Sequence, residues 1–129
     1  MKRITTLLCV IMLSGCSTIM SYIPSFWDDN QSARIITVRL SIDQIDCSRD
    51  QLPQALSIQS DLRWFELYSE SKGSRQSDVV RLIEPMQESV GDWVKRSKDG
   101  QGSQGYCEIK KRLLQSQSKS AASAILGRF

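Results

Sequence analysis

Histidine is absent from all 129 residues. That excludes nucleophilic sites of the Ser-His-Asp and Cys-His kinds and removes the commonest metal ligand. No apolar run is long enough to span a bilayer: the run from Ile4 to Leu13 is about ten residues, and a span takes about twenty. A strong charge of one sign is missing as well. Lys2 and Arg3 supply much of the basic excess, and without them 17 basic residues fall to 15 against 14 acidic ones. Nucleic-acid binding calls for a strongly basic face, so no nucleic-acid partner is expected. The Gly100–Gly105 segment lacks the Gly-Lys-Ser/Thr ending of a phosphate cradle, and no strand precedes it.

What is present begins at the N-terminus. Two cations, a short apolar core and the small residues of Leu13-Ser14-Gly15-Cys16 fit the pattern of an export signal. The last four resemble the lipobox of bacterial lipoproteins. The resemblance implies cleavage before Cys16, a diacylglycerol on its thiol and an acyl chain on its amine. Acyl chains at one residue in that number give stable anchoring where one is marginal. Ser17 follows the cysteine in place of the Asp that favours inner-membrane retention, which implies the outer membrane, facing the periplasm.

Removing residues 1–15 from 129 leaves 114, enough for one modest core. On that reading Cys9 leaves with the signal and Cys16 carries lipid. Cys47 and Cys107 are then alone together in an oxidising compartment, where a disulfide is expected. It would close a loop of about 61 residues, for roughly 4 kcal/mol of chain-entropy stabilisation. Two thiolates do not make a four-ligand zinc site, so neither metal nor cofactor is expected.

Residues 16–30 read as the lipidated cysteine and a tether, and 31–129 as a helical domain. Asp28, Asp29 and Asn30 offer helix-capping side chains. The stretch from Ile35 to Ile45 fits both a helical stripe (Ile35, Val38, Ile42, Ile45) and a strand alternation (Ile36, Val38, Leu40, Ile42). No later segment offers a partner strand, and a lone strand cannot satisfy its backbone, so the expectation is helix. Pro53 suits the first turn of a second helix ending near Ser71 before Gly73. Ser77 is positioned to cap a third, with the stripe Val79, Leu82, Ile83, Met86, Val90, Trp93 and Val94, and with Pro85 expected to kink or split it. A fourth runs from about Tyr106 to Leu126 on Tyr106, Ile109, Leu113, Leu114, Ala121, Ala124 and Ile125. Four such helices joined by short loops predict an all-α, up-down-up-down four-helix bundle. In that topology Cys47 and Cys107 lie at the same end.

Catalytic motifs are weak, and no catalytic residue is expected. Ser69–Lys72 and Ser116–Lys119 match Ser-x-x-Lys, but the companion Ser-Asp-Asn and Lys-Thr-Gly motifs are missing. Glu66 with Glu70, and Glu84 with Glu88, are four apart, the spacing of a solvated helix face. Lys110-Lys111-Arg112 reads as solvent-facing cations. The second helix is more informative because it is apolar on two sides. Ala55, Ile58, Leu62 and Phe65 share one face; Leu56, Trp64 and Leu67, with Tyr68, line the other. The second face is a candidate groove for a partner's amphipathic helix.

Cys47-Ser48-Arg49-Asp50-Gln51-Leu52-Pro53 ahead of a helix, with a second cysteine opening the last helix, resembles the helical pilotin lipoproteins of type II secretion. The resemblance implies a lipidated four-helix domain, held by one disulfide, that grips a C-terminal helix of the secretin. A rival class is a small lipoprotein carried by a bacteriophage, either an outer-membrane spanin subunit or a superinfection-exclusion protein. Spanin subunits of that kind tend to be proline-rich, against three prolines and strong helix periodicity here. A structural envelope lipoprotein is a third class. The expectation is a non-enzymatic, outer-membrane-anchored module that binds another envelope protein and no small-molecule substrate.

Overall fold

The computed structural model describes residues 27–128. The signal segment, Cys16 and most of the tether lie outside them. The described chain is a four-helix bundle: α1 (Asp29–Asp43), α2 (Gln51–Ser71), α3 (Ser77–Lys98) and α4 (Gln104–Leu126). No strand occurs among the described residues, and none of their helices is long and apolar enough to cross a membrane.

Contacts between helix ends fix the direction of each helix. Asn30 at the start of α1 bonds to Tyr68 near the end of α2. Trp93 near the end of α3 bonds to Gln51 at the start of α2. Arg128, just past α4, pairs with Asp78 at the start of α3. Successive helices are therefore antiparallel, and α1 packs against α4 to close the ring. Cys47, after α1, is bonded to Cys107 at the start of α4, with Cα atoms 5.6 Å apart, inside the usual range for a disulfide. The two cysteines lie at the same end of the bundle, as the sequence led one to expect.

The ambiguous stretch is helical. Ile35, Val38 and Ile42 are fully buried, whereas Ile36 and Leu40 of the strand-like alternation are exposed. Asp28 caps this helix through the Asn30 and Gln31 amides. The helix itself starts at Asp29. Core layers combine Ile58, Leu62 and Phe65 of α2 with Ile83, Met86 and Trp93 of α3 and Leu114 of α4. Burying each such side chain contributes about 1.5–3 kcal/mol.

Buried amides close both ends of this core. At one end Gln31 donates to Ser69 Oγ at 2.9 Å and to Gln76 Oε1 at 3.0 Å. At the other, Gln51 accepts from Trp93 and donates to the carbonyls of Gly102 and Ser103. A buried amide left without partners is costly, so both clusters penalise any slip of one helix along another.

Three local expectations are corrected. Ser77 does not cap α3; a 3-10 turn, Ser74–Gln76, leads in and Ser77 is the first helical residue. Gly73 permits that turn with a φ of 94°. Pro85 does not split α3, which runs unbroken across it. Proline removes the bond to the carbonyl four residues earlier. That residue, Arg81, is exposed like Pro85, so water can take the place of the missing N–H. The fourth helix begins at Gln104, capped by Ser103, and takes in Gly105. It is also rotated from the expected stripe: Cys107, Lys110, Leu114, Ser118, Ala121, Ala122 and Ile125 face inward, and Ile109 and Leu113 face outward.

Candidate functional site

The periodicity of α2 decides what it leaves outside. Residues at 55, 58, 62, 65 and 69 turn inward and are buried. Leu56, Trp64 and Leu67 fall on the far side of a 3.6-residue turn, and each is more than a third exposed. With Gln59, Ser60, Arg63 and Gln87 they line an open groove of about 700 Å³. From Leu56 to Leu67 the groove follows about 16 Å of helix at 1.5 Å rise per residue.

A column of stacked side chains holds one edge of this groove. The Arg34 guanidinium lies 4.3 Å from the Trp64 ring centroid. Trp64 stacks on Tyr68, with centroids 4.9 Å apart and planes 7° from parallel. Lys72 Nζ lies 5.0 Å from the Tyr68 ring centroid. Such contacts are worth about 0.5–1 kcal/mol each at exposed sites. Arg34 also donates to Asp61 at 2.7 Å. Trp64 is therefore held in orientation although more than a third of it is exposed, and ordering it on binding costs little further entropy.

Tyr68 differs from the other three candidate residues. It is half-buried, its hydroxyl accepts from Asn30 Nδ2 at 2.8 Å, and it donates to Asp28 Oδ2 at 3.2 Å. Lys72 lies 3.5 Å from the same carboxylate. Partial burial pushes the Asp28 carboxyl up, but the Gln31 amide, the Tyr68 hydroxyl and the Lys72 ammonium outweigh it and hold it below the usual carboxylate range. Tyr68 thus ties the base of the groove to the cap of α1. On the α3 side, Arg63 donates to Glu66 at 2.6 Å, which raises the guanidinium's pKa further. Gln87 donates to the same Glu66 oxygen at 2.9 Å.

The structure brings together Leu56, Trp64 and Leu67 and places Tyr68 beside them. Arg34, Arg63 and Gln87 belong to the same face and were missed by sequence reasoning. The four-residue spacing from Arg63 to Leu67 could have indicated Arg63, while nothing local indicates Arg34 or Gln87. The basic cluster on α4 is not the solvent-facing patch expected. Lys110 is buried beside Asp92, and Lys111 donates to the Ile45 carbonyl at 2.7 Å. Only Arg112 of the three is exposed.

Three residues of the catalytic matches have structural partners. Ser69 is fully buried and accepts from Gln31, and Lys72 pairs with Asp28. Glu66 is engaged by Arg63 and Gln87. No group of three or more Asp, Glu, Cys or His side chains able to hold a metal occurs among the described residues. Comparison with protein families, curated proteins and solved structures finds no match for this chain.

Proposed function

We propose that this chain is a lipid-anchored, non-enzymatic adaptor of the bacterial outer membrane. In this reading it faces the periplasm and holds an amphipathic helix of another envelope protein along the outer face of α2. The observation that carries it is the outward row Leu56, Trp64 and Leu67 on a helix whose inner face already fills the core. An apolar groove with an oriented aromatic suits a helix that inserts residues at i, i+3, i+4 and i+7. The anchor rests on the N-terminal pattern ending in Cys16, and the pilotin-like layout of the cysteines supports the same kind of role.

Two measurements test it. Globomycin should make the precursor accumulate, and Cys16→Ala should abolish lipid labelling; normal cleavage under both treatments would refute the anchor. For docking, the double variant Trp64→Ala with Leu67→Ala should lose its partner in an envelope pull-down while Ile109→Ala keeps it. Equal recovery by wild type and both variants would refute the site.

A further inference from the structure

Five ion pairs among the described residues are sorted by side. Beside the α2 face, Arg34–Asp61, Arg63–Glu66 and Lys72–Asp28 each leave the cation more exposed than the acid, most clearly Arg63 at 59% against Glu66 at 21%. On the α3–α4 side the order reverses: Lys110 is 11% exposed against 73% for Asp92, and Arg128 is also tucked beneath Asp78. Among the described residues, Arg63 is the one charged side chain lining the groove. Its counter-ion Glu66 is pinned from the α3 side by Gln87. The opposite edge carries the Arg34 guanidinium stacked on Trp64, with Asp61 the more covered member of that pair. An apolar floor is therefore flanked by two guanidiniums that reach solvent ahead of their carboxylates.

Resting on the reading of α2 as a helix-docking face, the geometry points to the class of helix it selects: an amphipathic helix whose apolar stripe is bordered by Asp or Glu. A guanidinium carries five donors in a planar fork, and Arg63 gives Nη1 to Glu66. A partner carboxylate can take the remaining edge in a charge-assisted bond. A lysine at the same place meets like charge at the groove rim, which penalises the wrong partner.

The test uses the full chain in nanodiscs of zwitterionic lipid and two fluorescein-labelled designed helices. Both have about 18 residues, enough to overspan the groove at 1.5 Å per residue, and the same leucine stripe. One is bordered by glutamate and the other by lysine. Fluorescence anisotropy should show the glutamate helix binding about tenfold tighter or more at about 0.05 M salt, with the gap closing at about 0.5 M as charges are screened. Arg63→Gln should shrink the preference and Arg63→Glu should abolish or invert it, while Trp64→Ala should weaken both helices. Equal binding of the two helices, or an unchanged preference in Arg63→Gln, would overturn this inference and leave the docking face standing. Binding of neither helix would overturn both.

Discussion

Gln51 Oε1 accepts the indole N–H of Trp93 at 3.0 Å, inside the core and between the first residue of α2 and the end of α3. Its amide nitrogen holds the 99–103 loop through the carbonyls of Gly102 and Ser103. Gln51→Leu removes all three bonds and orphans a buried indole donor. The expected cost is about 2 kcal/mol or more, read as a lower urea midpoint with an unchanged slope. A neutral effect would mean that this amide does not organise that end of the bundle.

Asp28 gives a pH-dependent prediction. Its folded pKa lies below the unfolded value, so its contribution is complete above about pH 4 and is lost as pH falls through the folded value. Asp28→Ala should cost about 1 kcal/mol at neutral pH, the usual worth of an N-cap, and the difference from wild type should shrink below pH 4. Asp28→Asn keeps the cap while losing the attraction to Lys72, and should fall between the two. A wild-type advantage that persists undiminished at pH 2 would contradict the assignment.

The disulfide makes its contribution through the unfolded chain. Cys47 and Cys107 are 60 positions apart, and cross-linking a loop of that length is worth roughly 4 kcal/mol by chain entropy. Replacing both cysteines by serine should lower stability by about 2–5 kcal/mol. Intact mass after thiol alkylation should show neither residue modified. Two alkylated cysteines besides Cys16 would refute the pairing.

Two glycines should respond with opposite signs. Gly73 has a φ of 94° and open space around it, so Gly73→Ala should destabilise by about 1 kcal/mol through backbone strain alone. Gly91 lies within α3, has ordinary helical φ, and leaves open space where an alanine methyl would sit. Gly91→Ala should stabilise by up to about 1 kcal/mol, the helix-propensity difference. Thermal midpoints of the two variants should lie on either side of wild type.

Helices two and three were legible in the sequence because apolar residues at 3.6-residue spacing fill most of their core rows: Ala55, Ile58, Leu62 and Phe65 are buried as expected, and so are Val79, Ile83, Met86 and Trp93, with Ser69 and Ser89 as polar interruptions. The fourth helix misled for a physical reason. Its inward row includes Lys110, which pairs with the Asp92 carboxylate, and Ser118, which donates to the Gln115 carbonyl. A pattern reading ranks Ile109 and Leu113 above them. Of the candidate site, Leu56, Trp64 and Leu67 could be found from the far side of α2. The Arg34–Trp64 stack could not, because it joins residues 30 positions apart on two helices. Tyr68 showed its apolar ring in the sequence but not the hydroxyl bonds that tie it to α1.

The central claim is that α2 carries the partner. Site-specific photo-crosslinking in living cells tests it most directly, with a photoreactive residue at Leu67 on the groove or at Ser116 on the exposed part of α4. The account predicts a discrete adduct from position 67, lost when Trp64→Ala is added, and none from position 116. Equal adducts from both positions, or an adduct from 67 that survives Trp64→Ala, would contradict it.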